Sequence, residues 1–203
     1  MSAGVAGRSL RLAMCACVAT VLAGCAQVFY EKTPSGKFAG RLDVEWIAPN
    51  LFVYRPDPTQ PLTFTASDGT LIQPQLMYTD GGSIPRLFWS VPHLGPWDFA
   101  PGFVVHDWLF LQHRCRSGHW QDVSFERSAD LLAQALKTQM VQSQQPDPVV
   151  LWAIHEAVKT PVAKASWDSS DCRNPPGRAL PTPAAAPGVP PPVPVRILSI
   201  DIE

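Results

Sequence analysis

Phe99-Ala100-Pro101-Gly102-Phe103-Val104-Val105-His106-Asp107-Trp108-Leu109-Phe110-Leu111-Gln112-His113-Arg114 is apolar on nearly every side. A helix of that kind has no solvent face and belongs inside the molecule. Upstream of it the pattern is that of strands. Leu42-Asp43-Val44-Glu45-Trp46 alternates apolar and polar residues, the mark of a half-buried strand. Leu51 to Tyr54 and Leu62 to Ala66 are further short strands, separated by Pro-containing turns. Asp68-Gly69 signals a hairpin into Leu71–Tyr78, where Pro74 forces an edge position or a break. Ser83 can cap a short helix towards Ser90, with Pro85 in its first turn.

Downstream the pattern is helical. Phe125 to Gln139 carries an apolar stripe at Phe125, Ala129, Leu132 and Leu136. Asp147-Pro148 starts another helix, with Leu151, Ile154 and Val158 facing the core. Strands first and helices after predict an α+β fold: a small N-terminal antiparallel β region followed by a bundle of about three helices.

The two ends read differently. Arg8 and Arg11 precede an uncharged run from Leu12 to Leu22, too short to span a bilayer but of secretory h-region length. It ends in Leu22-Ala23-Gly24-Cys25, which resembles the lipobox of bacterial lipoproteins. The resemblance implies that residues 1–24 are a signal peptide and that Cys25 is lipidated. Ala26-Gln27 follows in place of the Asp that marks inner-membrane retention, so the expected address is the outer membrane, facing the periplasm. Several acyl chains on one residue make such an anchor stable. Residues 25–39 read as a linker, 40–165 as the folded domain, and 166–203 as a mostly disordered tail, dominated from Asn174 to Pro194 by Pro and Ala. The net charge of −1, with no basic block, excludes nucleic acid as a partner. Of five cysteines, Cys15 and Cys17 leave with the leader and Cys25 is acylated. Cys115 and Cys172 remain as a possible disulfide in an oxidising compartment.

Chemistry concentrates in Thr79-Asp80-Gly81-Gly82-Ser83-Ile84-Pro85-Arg86, in His106-Asp107, and in Arg127-Ser128-Ala129-Asp130. A T-D-G-x-S-I-P-R turn, an H-D pair in an apolar helix and an R-x-x-D on the next helix, in that order, resemble the bacterial and phage family called domain of unknown function 1353. The likeness runs over roughly residues 40 to 160 and implies no established activity. Burying an imidazole and a carboxylate is costly unless each is paired, and neighbours on a helix point about 100° apart. Separate partners are therefore expected: Asp130 for His106, and the Asp80-Gly81-Gly82 backbone, or a cation held there, for Asp107.

The arrangement also resembles phospholipase A₂. That likeness implies His106 as general base, Asp130 as its orienter, and Asp107 with Gly81 and Gly82 as a calcium site. The flanking cysteines of many phospholipases are missing, and the Asp80 loop departs from their calcium loop. The competing reading is structural. Asp80 to Ser83 is then a turn plus a helix cap, His106 and Asp107 a polar lock, and Asp130 a solvated carboxylate paired with Arg127. The expected function is a membrane-anchored envelope lipoprotein with a structural or binding role; the alternative is a calcium-dependent lipid hydrolase.

Overall fold

The molecule is known from a computed structural model that describes residues 22–48, 51–79, 81, 82, 92, 95, 97–118, 123–172 and 195–202. Helix α1 covers residues 22–32. Strand β1, Lys37–Ala48, is the spine of the sheet. β2 (Leu51–Tyr54) returns antiparallel along its second half, and β5 (Met77–Thr79) pairs with β2. The first three residues of β1 pair instead with β3 (Thr63–Thr65), whose hairpin partner is β4 (Leu71–Ile72). β1 exchanges partners at Gly40. A Cβ there would sit 2.1 Å from the Pro61 carbonyl oxygen, on a backbone with φ +92°, so a larger residue would push the chains apart. The strand expected over Leu71–Tyr78 is interrupted around Pro74, as a residue without an N–H requires.

Helices α2 (Ala100–Cys115), α3 (Phe125–Gln142) and α4 (Pro148–Ala157) lie where the periodicity predicts. Each starts on local chemistry. Pro101 fits the first turn of α2, Ser124 accepts the Arg127 N–H ahead of α3, and Asp147 accepts the Val150 N–H ahead of α4. The fold is α+β, with corrections to the expected layout. A helix precedes the sheet, and a fifth helix, α5 (Pro161–Trp167), follows α4. The tail expected from residue 166 is ordered at both described ends: Trp167 is buried, and Val195–Ile202 forms β6, antiparallel to β1. Its alternation turns Leu198, Ile200 and Ile202 onto the core. The stretch 25–39, read as a linker, contains most of α1 and the start of β1.

Two apolar cores define three layers. Phe38, Leu42, Val44, Tyr54 and Phe64 of the sheet meet Val104, Val105 and Leu109 of α2 and Leu131 and Ala135 of α3. The opposite sides of α2 and α3, through Phe103, Leu132, Leu136 and Met140, meet Leu151 and Ile154 of α4 and Phe29 and Tyr30 of α1. The α2–α3 pair is thus buried on both faces, which accounts for the apolar residues found on nearly every side of α2. A fully buried Leu in such a position is stabilised by roughly 2 kcal/mol.

Candidate functional site

The site begins where β5 ends. Thr79 is buried there, and its hydroxyl donates to Asp107 Oδ2 at 2.7 Å while accepting the Gly81 N–H at 3.0 Å. A hydroxyl is suited to this relay because it donates and accepts at once. The two glycines follow from geometry. Gly81 has φ +74°, and a Cβ on Gly82 would lie 2.7 Å from the Phe103 ring. Asp107 and the Gly81 turn, expected together, are joined, but through Thr79, which the sequence reasoning missed as a ligand although it opens the T-D-G motif. Asp80, Ser83, Pro85 and Arg86 lie outside the described residues.

Asp107 also faces Arg114, two turns further along α2. Burial pulls the Arg114 guanidinium below its ordinary range, and the carboxylates of Asp171 and Asp107 oppose that pull. Arg114 is largely buried, and its Nε has no hydrogen-bond partner among the described residues. Asp171 stands close because Cys115 and Cys172 are disulfide-bonded, with Cα atoms 4.6 Å apart. A hydrogen-bonded relay therefore runs Gly81, Thr79, Asp107, and the charges of Asp107 and Asp171 both act on the Arg114 guanidinium. The seven-residue spacing of Asp107 and Arg114 was the available signal for their proximity.

His106 points elsewhere. Its ring packs 4.6 Å from Phe110, and its Nε2 is enclosed with no hydrogen-bond partner among the described residues. Burial pushes its pKa down to about 4, so the imidazole is neutral at pH 7. Phe110 continues into an aromatic cluster with Phe125, Trp167 and His113, the last stacked on Trp167 at 3.9 Å.

The expected pairing of His106 with Asp130 is corrected by the structure. Asp130 Oδ1 lies 3.2 Å from His155 Nε2 on α4, and His155 Nδ1 lies 3.2 Å from Glu156. His155 is buried, with its ring 4.6 Å from Phe29 of α1. Asp130 belongs to the outer side of α3, where α1 and α4 pack, so it turns to α4 and does not serve as the orienting carboxylate of His106. Arg127 is likewise not Asp130's partner; it pairs with Asp68 in the β3–β4 turn. The R-x-x-D of α3 thus grips two different neighbours.

These contacts limit the chemistry. A general base needs an open nitrogen facing its proton, and a second group to hold the tautomer. In His106 the enclosed nitrogen is Nε2, and no described residue hydrogen-bonds it. At the expected calcium ligands, the Gly81 N–H donates to the Thr79 hydroxyl, which donates in turn to Asp107 Oδ2. No group of three or more His, Cys, Asp or Glu side chains suited to a metal occurs among the described residues.

The turn, the H-D pair and the R-x-x-D all fall within one matched segment. Residues 59–158 match the family model described as protein of unknown function (DUF1353). The DUF1353 match takes in β3 to α4 and leaves α1, β1, β2, α5 and β6 outside it. No curated protein and no solved structure matches the chain.

Proposed function

We propose that this chain is a lipid-anchored protein of the cell envelope, acylated on Cys25, facing the periplasm from the outer membrane, with a structural or binding role for its domain. The observation that carries the reading is Leu22-Ala23-Gly24-Cys25 behind a charged, short apolar leader. Cys25 is exposed, and the residues before it on α1 are exposed too, so removing residues 1–24 takes nothing described from the core. The Cys115–Cys172 bridge suits an oxidising compartment. No described helix is long and apolar enough to cross a membrane, and attachment in this reading is through lipid.

A structural or binding role is preferred over lipid hydrolysis because the polar groups of α2 and α3 are spent on joining elements. His106 Nε2 is enclosed, and Asp130 holds α4. The test is fractionation and mass spectrometry of the N-terminal peptide. Wild type is expected in the membrane fraction with acyl mass on Cys25, and Cys25→Ser in the soluble fraction. Membrane fractionation of both forms, with no acyl mass, would overturn the reading.

A further inference from the structure

The segment after Cys25 leaves no slack between the anchor and the domain. Ala26, the next residue, is fully buried, and Phe29, Tyr30 and Thr33 continue the same stripe of α1 against α3 and α4. Polar contacts fasten the stripe. Lys137 Nζ donates to the Tyr30 carbonyl at 2.6 Å and also to the Thr33 carbonyl, filling acceptors left open at the helix end. His155, gripped by Asp130, packs on Phe29, and Thr138 Oγ1 accepts the Gly36 N–H at 2.8 Å. A chain of one residue reaches only about 3.5 Å. A lipid on Cys25 therefore starts at the surface of the folded body.

The other side of α1 carries Cys25, Val28 and Lys32, spaced by three and four residues and all exposed. They form one stripe about 10 Å long at 1.5 Å per residue. On its flank Gln27 Nε2 donates to the Glu31 carboxylate. The acylated residue is thus a member of the outer stripe, and the inner stripe is already occupied by the domain. Resting on the proposed lipidation of Cys25, we infer that the outer stripe of α1 is a membrane-contact surface that holds the domain flush against the bilayer. Val28 meets the acyl boundary and the Lys32 ammonium reaches anionic headgroups. Contacts this small bind weakly alone; the lipid at the end of the same stripe makes their encounter with the bilayer intramolecular.

The experiment uses full-length lipidated protein in vesicles of phosphatidylethanolamine and phosphatidylglycerol carrying a headgroup nitroxide quencher. A fluorophore is placed at Val28→Cys or at Leu71→Cys, an exposed position on β4 in the sheet layer. With acyl mass verified on Cys25, the label at position 28 is expected to be quenched at least twofold more than that at 71. Eight Gly and Ser residues inserted after Cys25 should reduce that difference, without disturbing the body. Equal quenching at 28 and 71 in acylated protein, or quenching indifferent to the insertion, overturns the inference while leaving the lipidation standing. Absence of acyl mass from Cys25 overturns both.

Discussion

His106 shows how an apolar helix dictates the behaviour of a titratable group. In the unfolded chain its pKa is near 6.5, and burial lowers it to about 4 in the folded one. Between those values the unfolded chain binds more protons, so this residue withdraws stability as pH falls from 6.5 towards 4. Below that both states are protonated and the loss is complete, at about 3 kcal/mol for a shift of this size. Carboxylates titrate in the same window, so the informative comparison is with His106→Gln. The variant is expected to lose less stability than wild type between pH 7 and pH 4.5 in urea titrations. Parallel losses would mean that the folded imidazole is not held neutral. The T-D-G turn and the H-D pair were legible as residues that must find partners, since burial leaves polar groups little choice. Which partners they take depends on where α2 places each face.

Helix α3 has a polar side chain for almost every neighbour. Arg127 holds the β3–β4 turn through Asp68, Asp130 holds α4 through His155, and Gln134 Oε1 accepts the Ser67 N–H at 3.0 Å. Lys137 and Thr138 hold α1 and the chain after it, and Gln139 Oε1 accepts the Gly102 N–H of α2 at 3.0 Å. Prominence in a motif does not translate into energy here. The Arg127–Asp68 pair is substantially exposed, and such pairs contribute up to about 1 kcal/mol. Leu136 is fully enclosed between α2, α3 and α4, where truncation to Ala costs about 2–5 kcal/mol. Arg127→Ala is therefore expected to be mild and Leu136→Ala severe in urea denaturation. The reverse order would show that the hairpin grip outweighs the second core.

Across the whole chain, two long-range closures complete the body. The Cys115–Cys172 bond links positions 57 residues apart, tying the end of α2 to the segment beyond α5. Closing a loop of that length removes unfolded-state entropy worth about 4 kcal/mol. It also keeps Asp171 beside Arg114. Reduction, or paired Cys115→Ser and Cys172→Ser, is expected to lower stability by about that amount and to loosen Trp167 from the aromatic cluster. Urea titrations with and without reductant, followed by Trp fluorescence, measure it. Unchanged midpoints would remove the bridge from the account. The second closure is β6, which covers one edge of β1 from Gly40 to Trp46.

The α+β class, the positions of β1 to β3 and the three central helices follow from local rules. Alternation, 3.6-residue periodicity, Ser124 and Asp147 as caps and Pro74 as a break all act within a few residues. Two ordered pieces were missed for the same reason in reverse. The α1 segment borders the secretory leader, and Val195–Ile202 follows a Pro-rich stretch, so composition masked their own patterns, 26/29/30/33 and 198/200/202. The assignment of Asp130 to His155 rather than His106, the Thr79 relay and the meeting of Asp171 with Arg114 belong to the tertiary structure. Each depends on which face of α3 or α2 is turned to which layer. Periodicity identifies a buried helix, but α2 and α3 are covered on both sides, and only packing decides which neighbour lies on each.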